Sequence, residues 1–390
     1  MQRKTDPLLQ FTTPHLLCSS DCEPQRLRDL LRHADAESLR LWEELSLGYT
    51  ESQGLPLLRA EIAKLYAALG PDELTVVAPQ EGIFLAMEVL VQPGDTIICT
   101  YPGYQSLYER ARSLGCTVHE WRPQPDPATG RLRFRMEELE RLLGAAEDLK
   151  MVVVNFPHNP TGKSLRPEEW RRLFELLAAR GPRAPYLFSD EMYRGLEHDP
   201  AQRLPSAVDM GYERAVALSG VSKALSLPGL RIGWLATKDA RVLAAVAHMK
   251  DYTTICSSAP SEVLALMGLR QRERLIADNL ATITENLKLF AELAARHPTK
   301  LAWDEPDAGS TAFPRFLPRV LGKEDVGEVC DRLAETWGVL FLPATAFNCA
   351  EFVEQGRFRF GPGRKNLQEG FRRFEEFLEA VQEEEETVEE

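Results

Sequence analysis

Through the middle of the chain, short apolar runs alternate with longer amphipathic stretches. That alternation predicts helices laid on the faces of a largely parallel sheet, because parallel strands need crossover connections and those are usually helical. The runs that predict strands are Leu74–Val77, Thr96–Thr100, Thr117–Glu120, Met151–Asn155, Tyr186–Ser189, Ala215–Leu218 and Arg231–Ala236. Several end in polar or Gly/Pro-rich turns. In open α/β sheets, ligands bind beyond the carboxyl ends of the strands, so those turns are where chemistry is to be sought. From about Asn279 onward the pattern changes to long amphipathic helices with few strands between, among them Gly338–Leu342 and Arg357–Phe360. We read a large domain over residues 47–278 and a smaller α+β domain assembled from 1–46 and 279–390.

A chain of 390 residues exceeds the size at which one core usually stops growing, which agrees with two domains and leaves material for a deep site. Apolar residues at 44% and charged residues at 27% place it with globular proteins rather than disordered ones. The formal charge of -13 is mostly local, since nine glutamates fall between Glu375 and Glu390. That tail reads as the solvated end of the last helix. No basic stripe argues for nucleic acid. The seven cysteines are odd in number, and Cys18 and Cys22 have no second Cys/His pair to complete a zinc site. A reduced compartment and no metal are expected. Asp6 and Pro7 interrupt the N-terminus before an apolar run develops, and no stretch reaches the ~20 apolar residues of a membrane span. The expected location is the cytoplasm, without a membrane segment.

Three runs carry candidate chemistry. Asn155-Phe-Pro-His-Asn-Pro-Thr-Gly162 follows a strand of valines; its prolines forbid a helix and set a rigid turn that fixes where an asparagine points. An ordinary loop would explain the prolines and glycine equally well. Leu187-Phe-Ser-Asp-Glu-Met-Tyr193 places a carboxylate and a phenol at one strand-to-turn junction, where a helix-capping aspartate is the plain alternative. Ser219-Gly-Val-Ser-Lys-Ala-Leu-Ser-Leu-Pro-Gly-Leu-Arg-Ile-Gly-Trp234 sets a lysine among small and apolar residues, where desolvation would lower its pKa and make it nucleophilic. A solvated lysine is the plain alternative there. Order and spacing of the three together carry more than any one alone.

That ordered set, His-Asn-Pro-Thr-Gly, then Asp-x-x-Tyr, then Ser-Lys with an arginine eight residues on, resembles the class I/II aminotransferases of fold type I. The resemblance runs from Tyr49 to Arg359. It implies a mostly parallel seven-stranded sheet flanked by helices, with a smaller α+β domain, and pyridoxal 5′-phosphate (PLP) as cofactor. Lys223 matches the lysine that forms a Schiff base with PLP and later moves the proton. Asp190 matches the carboxylate that keeps the pyridine nitrogen protonated, so that the ring accepts electrons. Tyr193 and Asn159 match the pair on the ring's 3-oxygen, and Tyr104 matches the aromatic stacked on the ring face.

For the phosphate, the resemblance implies Arg231, whose planar fork suits an anion, and Ser222. Pro79 and Gln80 open a helix whose first amides would cradle the phosphate. Tyr49, in Gly-Tyr-Thr-Glu-Ser-Gln-Gly, resembles the tyrosine that reaches the neighbouring subunit's phosphate, which implies a homodimer with shared sites. Arg359, in Phe-Arg-Phe-Gly-Pro-Gly-Arg364, resembles the clamp for the substrate α-carboxylate. Arg357 would share its face in a strand, so periodicity does not choose between them; the Phe-Arg-x-Gly pattern favours Arg359. Two departures stand out: Gly220 replaces a serine that often touches the phosphate, and Pro79 offers no N–H. His158 either faces substrate or caps its turn. The segment Asp251–Pro260 is expected near the subunit interface, and Pro14 and His15 are expected to fold over the substrate.

The implied reaction moves the amino group of an L-amino acid to a 2-oxo acid with ping-pong kinetics. The same scaffold supports other outcomes. One alternative is a PLP-dependent lyase or cyclase like the capreomycidine synthases, acting on an arginine derivative. Another is a non-catalytic PLP-binding regulator, against which the lack of a basic footprint weighs. No second carboxylate-binding group marks the donor's side chain.

Overall fold

The computed structural model describes residues 12–388, and its centre is a sheet of seven strands. In chain order these are β1 (Leu74–Val77), β2 (Thr96–Thr100), β3 (Thr117–Trp121), β4 (Leu149–Asn155), β5 (Tyr186–Asp190), β6 (Ala215–Gly220) and β7 (Gly233–Ala236). Across the sheet they lie in the order β1-β7-β6-β5-β4-β2-β3. β7 runs antiparallel to both neighbours, and every other pairing is parallel.

Each of the seven apolar runs expected to form the central sheet is a strand of it. The bounds move by two residues at most, and the last strand begins at Gly233 rather than Arg231. Arg231 instead closes the 3-10 turn Pro228–Leu230 in the left-handed conformation, at φ 56° and ψ 35°, which no strand accommodates. Met151 to Val154 are all fully buried because a parallel strand is covered on both faces. Met151 and Val153 join one apolar cluster and Val152 and Val154 the other, as side chains that alternate along a strand must.

Three helices position the site: α1 (Pro79–Leu90), α2 (Ala259–Arg270) and α3 (Arg272–Arg296). α1 packs on β6 and β7. α2 is buried from Glu262 to Leu269, beneath the helices Leu27–Arg32, Ala36–Glu43 and Pro56–Ala63. α3 spans the point near Asn279 where the sequence pattern changes. Beyond it lies a core of phenylalanines in which Phe290 stacks on Phe360 with ring centroids 4.5 Å apart.

The run Gly338–Leu342, expected to be one strand, is two. Val339–Leu340 pairs with His15–Leu16, whereas Leu342–Pro343 pairs with Phe358–Arg359. The fully buried Phe341 turns the corner between them, its ring packed against Phe358 and Phe374. The expected strand Arg357–Phe360 narrows to Phe358–Arg359, with single bridges from Arg357 to Arg315 and from Phe360 to Ala312. The last helix, Gln368–Val388, carries the acidic run. Among the described residues, no helix is long and apolar enough to cross a membrane.

Candidate active site

β4, β5 and β6 end side by side, and Asn155, the last residue of β4, ties two of the turns together. Its Nδ2 donates to Asp190 O at 3.1 Å, and its Oδ1 accepts from the backbone N–H of Asn159 at 2.9 Å. The Asn159 turn closes through Gly162 N–H to His158 O at 2.7 Å. Gly162 sits at φ 67°, and a Cβ there would lie 2.3 Å from Thr311 O, so no other residue fits. His158 Nδ1 shares a hydrogen bond with Thr161 Oγ1 at 2.7 Å, and burial lowers its imidazole to about 3. Of its two readings, the geometry agrees with a neutral residue that caps the turn. Lys163, buried, donates to Asp304 at 2.7 Å and to Glu305 O at 2.6 Å, anchoring the turn to the C-terminal half.

Asp190 and Lys223 face each other across the strand ends. The carboxylate of Asp190 is buried, accepts from Met192 N–H at 3.1 Å, and pairs with no cation among the described residues. Burial raises it to about 7, with Lys223 opposing the rise. Lys223 Nζ donates to Ser20 Oγ at 3.0 Å and lies 5.9 Å from the centre of the Tyr193 ring. Burial lowers its amine to about 8, with Asp21 opposing. Tyr193 is buried, which pushes its phenol above the ordinary range.

Arg359 completes this group. Its Nη1 donates to Asn159 Oδ1 at 3.1 Å, while Nε and Nη2 both donate to Cys18 O, at 3.1 and 2.9 Å. Arg357, which periodicity left as its rival, points elsewhere. It is bound to Phe313 O at 2.9 Å and Gln355 Oε1 at 2.7 Å inside the C-terminal core.

A second group lines the sheet's neighbouring edge. Pro79 is the first residue of α1, where a missing N–H costs nothing because that donor has no partner within a helix. Tyr104 donates to Gln80 Oε1 at 2.8 Å. Arg231 is exposed, with its guanidinium resting on Pro228 O at 3.0 Å. Ser222 Oγ is buried with no hydrogen-bond partner among the described residues. Gly220 lies opposite Gly233, and a Cβ on it would press at 3.0 Å on Gly233 Cα and Ile232 O. The close approach of β6 and β7 thus explains the glycine where a serine was expected.

Tyr49 is 90% exposed in this chain. Its loop is nevertheless pinned. Buried Lys250 donates to Ser52 O at 2.6 Å and to Ile255 O at 3.3 Å, and Glu262 accepts from Leu55 N–H at 3.1 Å. Thr253 and Thr254, inside Asp251–Pro260, hydrogen-bond Glu81 in the first turn of α1. One network therefore joins the Tyr49 loop, the exposed Tyr252 and Ile255, and the start of α1.

The residues that reach over Lys223 are not the ones expected. Pro14 lies against Gly338 and His15 pairs with Val339, while Cys18 to Asp21 form the strap across the site. Asp21 pairs with Arg364 at 3.0 Å, and Ser310 Oγ donates to Ser20 O at 2.9 Å. Neither Ser20 nor the Cys18 carbonyl carries a signal in the sequence. Asn155 does, as the polar end of an apolar strand.

The family model described as aminotransferase class I and II matches residues 15–374. The chain belongs to this family. A capreomycidine synthase from Streptomyces vinaceus is 30% identical over 328 residues, which cover 84% of this chain and 80% of that protein. A PLP-dependent aminotransferase from Streptococcus suis 89-1591 superposes with a TM-score of 0.84 at 25% identity, over 95% of each chain. The PLP-dependent cyclase OrfR superposes with a TM-score of 0.82 at 27% identity, over 97% of this chain and 98% of that one. These likenesses establish the fold-type I architecture.

PLP is the cofactor of this aminotransferase family, and the residues present fit it. A buried carboxylate without a cation, at Asp190, is the complement of a protonated ring nitrogen. The unpartnered Ser222 hydroxyl, the opening amides of α1 and the exposed fork of Arg231 are the complement of a phosphate.

Proposed function

We propose that this family member is a PLP-dependent aminotransferase that moves the amino group of an L-amino acid to a 2-oxo acid. The observation that carries the reading is Lys223, a buried amine lowered to about 8 and gathered with Asp190, Tyr193, Asn159 and Arg359 around one space. When bound, PLP supplies an electron sink for the pair left on the substrate's α-carbon. Lys223 would hold the cofactor through its amine and, as a buried amine lowered to about 8, would serve as the base that takes the substrate's α-proton and delivers it onward.

Asp190 would keep the ring nitrogen protonated, and its burial would make that ion pair strong. Tyr193 and Asn159 would hydrogen-bond the ring's 3-oxygen, and Tyr104, held by its hydrogen bond to Gln80, would supply an aromatic face to the ring. Arg231, Ser222 and the opening turn of α1, with Pro79 and Gln80, would hold the phosphate. Arg359 clamps the substrate α-carboxylate as a planar fork. Tyr49, exposed in this chain, is offered to a second copy, so the working enzyme is a homodimer with shared sites.

A second reading is favoured by two of the likenesses, since a capreomycidine synthase and a PLP-dependent cyclase both align along most of the chain. In it the enzyme is a lyase or cyclase acting on an arginine derivative. Mixing the PLP-loaded protein with amino acids one at a time separates the two. Conversion of the cofactor to pyridoxamine phosphate with release of the matching oxo acid is the expected result. Loss of water or ammonia with the cofactor unchanged would replace transamination with the second reading.

A further inference from the structure

α3 touches both ends of the catalytic space through two buried asparagines. Asn279 Nδ2 donates to Ala224 O at 2.9 Å, next to Lys223, and its Oδ1 accepts from Ser226 Oγ at 2.9 Å. Ser226 sits at φ 58°, a conformation that residues other than glycine rarely hold without support. Asn286 Nδ2 donates to Pro362 O at 2.8 Å and to Arg364 O at 2.7 Å, the carbonyls of the turn that follows Arg359. Phe290, one turn further, stacks on Phe360, the neighbour of Arg359.

Residues seven and eleven apart fall on one face of a helix, so Asn279, Asn286 and Phe290 look the same way. The two amides are separated by about 10 Å of stiff helix, from the 1.5 Å rise per residue. Each asparagine is 4% exposed, and an apolar residue in its place would leave buried carbonyls unpaired. The strap fills the intervening gap, with Ser20 on Lys223 and Cys18 O on Arg359.

Resting on the roles of Lys223 and Arg359 given above, we propose that Asn279 and Asn286 are positioning residues of α3 that fix the separation between the Lys223 amine and the Arg359 guanidinium. They thereby set the depth at which a substrate's α-carbon lies against the lysine. Neither touches a reacting atom. Asn279 sets the lysine end and Asn286 the carboxylate end, so the two should be separable by experiment.

The test uses the full-length, PLP-loaded protein with Asn279→Leu and Asn286→Leu. Two quantities are read: the pH midpoint of the absorbance of the Lys223-bound cofactor, and the Kd for the 2-methyl analogue of the most responsive amino acid, which binds but has no α-proton. Asn286→Leu is expected to raise that Kd about tenfold and leave the midpoint in place. Asn279→Leu is expected to move the midpoint by about half a unit or more with Kd changed less than about twofold. Asn279→Gln and Asn286→Gln keep a donor and an acceptor and should recover most of each effect; they also carry the test if a leucine variant does not fold. Both variants moving both quantities together, in step with lost thermal stability, would make α3 a general brace and overturn the proposal. So would neither variant moving either quantity. The absorbance arm involves no turnover, so it decides the Asn279 half whichever reaction the enzyme performs.

Discussion

Arg359 donates from Nη1 to Asn159 Oδ1 across 3.1 Å, so the proposed carboxylate clamp and a proposed cofactor ligand are a single hydrogen-bonded unit. Nε and Nη2 rest on Cys18 O, an uncharged acceptor that a carboxylate outcompetes. Arg359→Lys keeps the charge and loses the fork. The expected outcome is an increase in KM of about a hundredfold for the amino donor, since a bidentate site does not tolerate lysine. The absorbance of bound PLP should be unchanged. A KM within about twofold of wild type would move the clamp elsewhere.

Asp190 should cost the cofactor-free protein stability, and the sign is specific. Its folded value, raised by burial from 3.8 to about 7, means that below about pH 4 the group is protonated whether the chain is folded or not. As pH climbs toward 7 the unfolded chain ionises and the folded one does not, so stability falls and then levels off. Asp190→Asn removes that penalty. Urea unfolding of the cofactor-free variant at pH 8 is expected to show a gain on the order of 2–4 kcal/mol that disappears near pH 4. Activity should fall at least about a thousandfold, because a neutral amide cannot hold the ring nitrogen protonated. Equal stability of variant and wild type at both pH values would show that Asp190 is not desolvated.

The Lys223 amine gives a second pH signature. An ordinary lysine would be captured by PLP ever faster up to pH 10, as its neutral fraction grows. Lowered from 10.5 to about 8 by burial, Lys223 is half neutral near pH 8. The rate at which the cofactor-free protein recaptures PLP should therefore rise about tenfold per pH unit below 8 and flatten above it. A rate still rising at pH 10 would place the amine in solvent. Lys223→Ala should show no absorbance of lysine-bound cofactor at any pH.

Much of this site was legible because parallel strands write it plainly. Met151 to Val154 are apolar on both faces, and Asn155, Asp190 and Lys223 follow where those apolar runs stop. Short polar turns at strand ends leave a local pattern that one sequence can carry. The strap left none. Ser20 meets Lys223 across 203 residues and Cys18 meets Arg359 across 341, the latter through a backbone carbonyl that every residue type possesses. Periodicity does not choose between Arg357 and Arg359; the Phe-Arg-x-Gly pattern favours Arg359, and the structure shows the physical difference, Arg357 bound to Phe313 O and Arg359 to Asn159 and Cys18. Asn279 and Asn286 read as polar positions of an amphipathic helix until their partners, 55 and 76 residues away, are seen.

Tyr49 supplies the test of the shared site. It is 90% exposed, yet its loop is held by two buried ionisable side chains, Lys250 and Glu262. Burying two ionisable groups to fix a loop carries a penalty, which argues that the loop has a task. If the task is to reach the partner's phosphate, Tyr49→Ala and Lys223→Ala should each weaken or abolish activity as separate homodimers. Mixed and allowed to exchange subunits, they form heterodimers in which one site has both residues intact and the other has neither. Random exchange makes half the dimers mixed, each with one working site, so activity should return to about a quarter of wild type. The recovery must follow subunit exchange and vanish when exchange is prevented by cross-linking each homodimer beforehand. No recovery, with heterodimers demonstrated by mass, would place Tyr49 in its own chain's site or in none.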